Sequence, residues 1–419
     1  MAKKLRVGVL FGGRSGEHEV SLRSAESILR SIDRKRYEVV PIGIAKSGQW
    51  LGGEQATALL GGGTVPQLAA TGKKTSARQA HAHAVSDVTA ALLGSPAPSA
   101  RKAKGTGQGS ASPQDASVAL SLQASAAGAA PAGLDVVFPV LHGTFGEDGT
   151  IQGMLELANV AYVGSGVLGS AAGMDKDAMK KMFLAAGLPI VPHVTLLRGE
   201  WQSNPRRCTR LIEERLQYPV FVKPANLGSS VGISKVRSRR ELADAMDEAA
   251  RFDRKIVVEE GVSGTGALRG TGKARELEVA VLGNDEPKAS VVGEIVPDRE
   301  FYDYASKYDS TSTSEPVIPA KLSRAQVKQI QTMAVAAFRA CDLSGLARVD
   351  FLLEAADPSS GDQPKLYLNE VNTMPGFTSI SMYPKLWESS GIAYPELIDR
   401  LIALAVERHA DRQGTYFSV

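Results

Sequence analysis

The chain opens on an apolar run, "LRVGVLFGG", that ends in paired glycines. A short apolar run closed by a turn signal predicts a strand buried on both faces. Beyond it, Leu22, Ala25, Leu29 and Ile32 recur at the spacing of one helix face. "YEVVPIGI" predicts a second strand, so the chain begins as a β-α-β unit with a parallel sheet. "LDVVFPVLHG" and "VAYVGSG" continue the pattern after a gap.

Within the gap, from Gly94 to Gly133, the only large apolar residues are Val118, Leu120 and Leu122. Such a segment buries too little surface to offset its ordering entropy, so residues 62–132 are predicted to be a low-complexity, disordered insertion. His81 and His83 lie in it with no carboxylate cluster or cysteine nearby and are not read as metal ligands.

After the gap, "DKDAMKKMFLAAG" predicts a helix stopped by Gly187 and Pro189. "YPVFVKP", "GISKV" and "KIVVEE" predict strands, with a helix at "RRELADAMDEAA" between the last two, and "RELEVAVLG" predicts another strand. Helix 324–340 opens with Ser323 and Gln326 in capping-box spacing and carries Val327, Ile330, Ala334, Ala337 and Phe338 as a stripe. A hairpin, "ARVDFLLE" to "KLYLNEVN", follows. The last helix presents Leu397, Ile398, Leu401, Ile402 and Ala405. The expected fold class is α/β, divided into residues 1–171, 172–262 and 263–419.

Composition narrows the function classes. At 419 residues the chain exceeds one ordinary core. Its 43% hydrophobic and 22% charged residues are those of a soluble globular protein. A net charge of +3, from 48 basic and 45 acidic residues, gives no broad basic face for nucleic acid. Cys208 and Cys341 lie far apart, which argues against a disulfide framework or zinc site. No apolar run reaches the ~18 residues of a membrane span. The basic N-terminus has no cleavage pattern, so the expected compartment is the cytoplasm.

The hairpin carries the strongest chemical signal. Residues two apart on a strand share a face, so Arg348 and Asp350 point one way, as do Glu370 and Asn372. Two carboxylates and an amide oxygen are hard donors suited to Mg²⁺, which fills its shell with phosphate and water. The plainer alternative is a solvent-facing polar strand pair. "KPANLGSSVG", with Lys223 before its glycines and serines, is neither G-x-x-x-x-G-K-[ST] nor G-x-G-x-x-G. At a strand end it suits a flap whose N–H groups and lysine hold phosphate.

"GGRSGEHEVSLRSA", "HGTFGEDGTIQG", "YVGSGVLGSAAGMDK", "KPANLGSSVG", "FYDYASKY", "ARVDF" and "NEVNTMPGFTSIS" occur in this order. Together they resemble the D-alanine–D-alanine ligases, ATP-grasp enzymes, over nearly the whole chain outside the insertion. The resemblance implies a three-domain ATP-grasp architecture, with an N-terminal Rossmann-like domain and two α+β subdomains clasping ATP. It implies ligation of two D-alanines through a D-alanyl phosphate for peptidoglycan precursors. It also implies ATP as co-substrate, two Mg²⁺ or Mn²⁺ ions per site, a homodimer, and no nucleic-acid or membrane partner.

By that resemblance, Asp350, Glu370 and Asn372 match the metal ligands. Lys176, Lys223 and Lys307 match the lysines on the phosphates, with Ser229, Ser230 and Glu260 placed in the same cofactor set. Glu259 matches the acid at the adenine edge, and Glu276 the one on the ribose, with Glu278 on the same strand face as an alternative. Glu17 matches the acid that holds the first D-alanine, with Ser229 and Tyr308 as its hydrogen-bonding partners and His142 in the same pocket. Arg348 and the Gly376 N–H match the oxyanion stabilisers, and Ser381 a contact to the second D-alanine. Tyr308 as simple lid packing is the plainer alternative.

Two departures stand out: Thr144 where the family has proline, and an insertion, "SGTGALRGTGKA", between Glu259 and Glu276. Three other functions compete. A D-alanine–D-lactate ligase is the nearest, and Tyr308 argues against it because depsipeptide-forming members carry Phe there or replace the lid. A nicotinamide-dependent oxidoreductase is disfavoured by Phe11, which stands where the first glycine of G-x-G-x-x-G belongs. A non-catalytic ATP-binding module is disfavoured because every matched polar residue is present.

The insertion is directly testable. Replacing residues 66–128 by a short Gly/Ser linker is expected to keep ATP- and D-alanine-dependent phosphate release within a few fold of the intact chain. A deleted protein that folds but is inactive would contradict the compositional reading.

Overall fold

The computed structural model describes residues 3–62, 133–265, 272–296 and 315–416. The low-complexity insertion (all but Gly62), residues 266–271 of the second insertion, Lys307 and Tyr308 lie outside them.

The first sheet has the order β3-β2-β1-β4-β5, built from β1 (Leu5–Gly12), β2 (Tyr37–Ile44), β3 (Trp50–Gly52), β4 (Val136–Val140) and β5 (Ala161–Tyr162). All neighbours are parallel except β2 and β3. Val7, Val9, Leu10 and Phe11 of β1 are all buried, because helices cover both faces of a parallel sheet. Helix His18–Ser31 follows β1. Gly12, at φ +92°, makes the turn; a Cβ there would lie 2.2 Å from the Ile44 carbonyl oxygen.

Two antiparallel sheets follow. One has the order β6-β9-β7-β8, from β6 (His193–Leu197), β7 (Val220–Pro224), β8 (Ser234–Val236) and β9 (Lys255–Glu260). The other runs β12-β11-β10-β13-β14, from β10 (Arg275–Gly283), β11 (Lys288–Val296), β12 (Glu315–Val317), β13 (Gly345–Leu353) and β14 (Leu366–Asn372). Strands β6 and β11 and the short helices Thr150–Leu157, Arg198–Ser203, Pro205–Arg215 and Met382–Ser389 lie outside the segments predicted above.

Helix Arg324–Ala340 begins as its capping box predicts. Ser323 N–H donates to Gln326 Oε1 (3.0 Å), and Gln326 N–H donates to Ser323 Oγ (3.3 Å). Its buried stripe packs on the apolar face of the last sheet, leaving the opposite face for polar groups. The final helix, Tyr394–Gln413, buries Leu397, Ile398, Leu401, Ile402 and Ala405 in one core with Val7, Val9 and Phe138 of the first sheet. The two ends of the chain therefore share a core. Among the described residues no helix is long and apolar enough to cross a membrane.

Candidate active site

The polar face of the last sheet is set by register. Arg348 sits opposite Asn372 and Asp350 opposite Glu370, while Glu278 of β10 faces Asp350 from the other side. Arg348 forks onto Asp350, with Nε to Oδ1 at 2.8 Å and Nη2 to Oδ2 at 2.7 Å, and Glu278 Oε2 approaches Arg348 Nε at 3.1 Å. Asn372 Nδ2 donates to Asp350 Oδ2 at 3.0 Å. Burial works against the guanidinium charge, but Asp350 and Glu278 outweigh it and raise the Arg348 pKa.

The donor set fits a divalent cation of the Mg²⁺ type: Asp350, Glu370 and the Asn372 amide oxygen are hard, and neighbouring in register. Among the described residues no group of three or more His, Cys, Asp or Glu is placed to hold a metal ion. A cation here would complete its shell from outside the protein, as one that bridges phosphates does.

A second charged cluster faces this one. Lys176 and Lys180 lie one turn apart on helix Lys176–Ala185, whose N-cap Asp175 accepts from the N–H groups of Asp177 (3.1 Å) and Ala178 (3.0 Å). Lys223 closes β7. Glu259 is buried between two ammonium groups, with Lys223 Nζ at 2.6 Å from Oε2 and Lys180 Nζ at 3.1 Å from Oε1. Burial alone would raise the Glu259 pKa, yet the two lysines hold it down at about 2. Burial lowers Lys176 and Lys180. It also works to lower Lys223, but Glu259 and Glu370 prevail and raise it. Glu370 acts electrostatically on all three lysines, so the hairpin patch and the lysine cluster form one site.

The structure separates other neighbours in sequence. Glu260 turns away from Glu259 and accepts the Gln217 N–H (3.0 Å), in a cleft of about 460 Å³ that includes Tyr218 and Tyr367. Glu278 is engaged by Arg348, whereas the charge of Glu276 reaches Lys223. The second insertion is pinned at its start, where Thr265 N–H donates to the Ala355 carbonyl (2.9 Å).

Around the start of helix His18–Ser31, Ser229 Oγ donates to Glu17 Oε1. Ser229 (φ +51°) and Ser230 (φ +58°) are both left-handed, a strained arrangement for residues with side chains. The Lys176 ammonium donates to the Leu227 carbonyl (2.7 Å) and so holds the same loop. Gly143, at φ +73°, is needed beside Glu17: a Cβ there would lie 2.6 Å from Glu17 Oε2. His142 is buried, with Nδ1 at 2.9 Å from the Met374 carbonyl and Nε2 at 3.1 Å from Ser24 Oγ. Burial lowers its pKa, so the ring is neutral and donates from Nδ1. Ser381 Oγ accepts from Thr378 N–H (3.1 Å), beside Gly376.

Two participants were not singled out from sequence, Lys180 and Glu147. The i, i+4 spacing of Lys176 and Lys180 is the signal for the first. Besides Gly143, the partners of Glu147 are Thr373 and Met374, which lie over 200 residues away and leave no local trace.

The charge cluster makes a stability prediction. Replacing Glu259 by Gln leaves Lys180 and Lys223 buried without their counter-charge and is expected to cost about 3–5 kcal/mol in urea unfolding. A carboxylate with a depressed folded pKa stabilises above its unfolded value of about 4.3. That contribution is lost as the pH falls towards about 2, so stability in the variant is expected to vary less over this window.

The description "D-ala D-ala ligase N-terminus" matches residues 6–165 of the chain, and "D-ala D-ala ligase C-terminus" matches residues 182–403. A protein of Natranaerobius thermophilus named D-alanine–D-alanine ligase is 46% identical, over 99% of each chain. One of the same name from Heliobacterium modesticaldum is 47% identical, over 98% of this chain and 97% of that one. The solved D-alanine-D-alanine ligase of Coxiella burnetii superposes with a TM-score of 0.70 at 34% identity, covering 98% and 97% of the two chains. The VanG D-Ala:D-Ser ligase of Enterococcus faecalis gives 0.69 at 32% identity, covering 96% of this chain and 100% of that one.

Proposed function

The chain belongs to the D-alanine–D-alanine ligase family, and from that premise we propose how its own residues divide the work of ligation. The reaction joins two D-alanines to D-alanyl-D-alanine, a peptidoglycan precursor, with conversion of ATP to ADP. A carboxylate does not react with an amine directly. It first takes the γ-phosphoryl group as an acyl phosphate, and the second amine then displaces phosphate from the acyl carbon. The observation that carries this reading is the hairpin patch facing the lysine cluster, with Glu370 acting on Lys176, Lys180 and Lys223.

Glu17, fixed by Ser229, receives the ammonium of the first D-alanine. Lys176, Lys223 and Lys307 balance the phosphates beneath a flap that includes Ser230. Divalent cations, two per site and either Mg²⁺ or Mn²⁺, would be held by Asp350, Glu370 and Asn372 and would neutralise charge on the transferring phosphoryl group. Arg348 uses only Nε and one Nη2 hydrogen on Asp350, so further donors remain for the developing oxyanion together with the Gly376 N–H. A donor of this kind supplies roughly 3 kcal/mol. Ser381 takes the carboxylate of the second D-alanine.

Glu276 is assigned to the ribose because Glu278 is committed to Arg348. Glu259 is given the adenine end, whereas Glu260 turns away onto the Gln217 N–H and is left out of the ATP site. We keep the divisions 1–171, 172–262 and 263–419, each containing one of the three sheets, as an ATP-grasp arrangement with a Rossmann-like first part. The same reading places the enzyme in the cytoplasm, beside its ATP supply. It also makes the enzyme a homodimer, and exposed Leu157, Val167 and Leu168 offer an apolar surface for the contact.

Asp350→Ala and Glu370→Ala are each expected to abolish ADP formation with D-alanine, mainly through kcat, while the circular dichroism spectrum is unchanged. Near-normal turnover by both would remove the metal assignment. In a competition among D-alanine, D-lactate and D-serine as second substrate, wild-type protein is expected to form D-alanyl-D-alanine. Tyr308→Phe is expected to shift the D-lactate share by about 5- to 100-fold, the worth of one hydrogen bond in a desolvated network. An unchanged ratio would leave Tyr308 as lid packing.

A further inference from the structure

The turn after β14 is held by side chains distant in sequence. Glu147 Oε2 accepts from Met374 N–H (3.0 Å) and Thr373 Oγ1 (3.4 Å), while its Oε1 accepts from Gly143 N–H (2.8 Å). The neutral His142 donates from Nδ1 to the Met374 carbonyl (2.9 Å). Ser24 Oγ donates to His142 Nε2 and accepts from Phe377 N–H (3.2 Å). Tyr394 OH donates to the Phe377 carbonyl (2.6 Å). The Phe377 ring is buried against Phe138 and Tyr394, at centroid distances of 5.6 and 5.5 Å.

The backbone donors and acceptors of Met374 and Phe377 are thus all engaged. Pro375 between them has no N–H to offer. Among the described residues the Gly376 N–H makes no hydrogen bond. A turn fixed on both sides with one donor left over is a preorganised site for developing negative charge.

We propose that Glu147, with His142 and Ser24, is a positioning residue that clamps the Met374–Phe377 turn so that Gly376 N–H is aimed at the oxyanion. The inference rests on the ligase reading and deepens it. Glu147 also ties this turn to the first substrate's pocket, because Gly143 lies between it and Glu17. Burial and the neighbouring Glu17 push its pKa up to about 8. An ammonium arriving at Glu17 would offset that repulsion and favour the ionised form, which accepts all three bonds.

Glu147→Gln tests the clamp. Its amide N–H₂ would confront the N–H of either Gly143 or Met374, donor against donor, and displace the turn. A displacement near 1 Å costs up to about 100-fold, so kcat is expected to fall about 10- to 100-fold with KM for ATP within about twofold of wild type. Ser24→Ala, which removes two contacts without altering charge, is expected to show the same split at smaller amplitude and decides the matter if Glu147→Gln does not fold. Wild-type kcat in a folded Glu147→Gln or in Ser24→Ala, or an equal rise in KM for ATP, would overturn the clamp. Wild-type protein that forms no D-alanyl-D-alanine would overturn the ligase reading instead.

Discussion

The site depends on one constraint: charge withdrawn from water has to be matched. Lys176, Lys180, Lys223 and Arg348 lie in one buried region with Glu259, Glu278, Asp350 and Glu370. The two antiparallel sheets contribute unequally. Lys223 and Glu259 come from the four-stranded sheet, and Lys176 and Lys180 from the helix Lys176–Ala185, whose Met179 and Phe183 pack in the core of the five-stranded sheet. Glu278, Arg348, Asp350 and Glu370 come from the five-stranded one. Glu370 reaches across to the lysines, so neither sheet balances its own charges. A buried charge left unpaired costs several kcal/mol, which favours the geometry that brings the sheets together.

The proposed ligation assigns both binding and catalysis to these same groups. In this arrangement Lys223 is tied to Glu259 and Arg348 to Asp350, so the cations stay ordered without an anionic ligand. Lys180 is 1% exposed and pairs with Glu259 alongside Lys223, so the carboxylate has two counter-charges. The loop carrying Ser229 and Ser230 stands apart, with two left-handed residues side by side and Glu17 and Lys176 holding it. A strained segment secured by a few polar contacts is well suited to movement.

Packing explains why the chemistry gathers where it does. The last helix shares a core with the first sheet, which brings Ser24, His142 and Glu147 within reach of the turn after β14. The Phe377 ring fills the junction. The Gly376 N–H, the proposed oxyanion donor, is therefore framed by residues from distant parts of the chain: Ser24 and Tyr394 on helices, and His142 and Glu147 on the segment between β4 and the helix Thr150–Leu157.

Local patterns in the sequence determined the elements whose physics is local. Alternation along "ARVDFLLE" and "KLYLNEVN" fixed which residues share the polar face, because side chains on a strand have a period of two. The Ser323–Gln326 box placed the start of its helix, and the buried run at β1 announced a parallel sheet. The ordered motifs identified the family. Tertiary structure alone decided which of two equivalent carboxylates faces which cation. Glu276 and Glu278 share a face by periodicity, and only strand pairing put Glu278 against Arg348. Likewise, no local pattern foretold that Glu147 would hold the Met374 N–H across 227 positions, since a hydrogen bond at that separation exists only once the cores have packed.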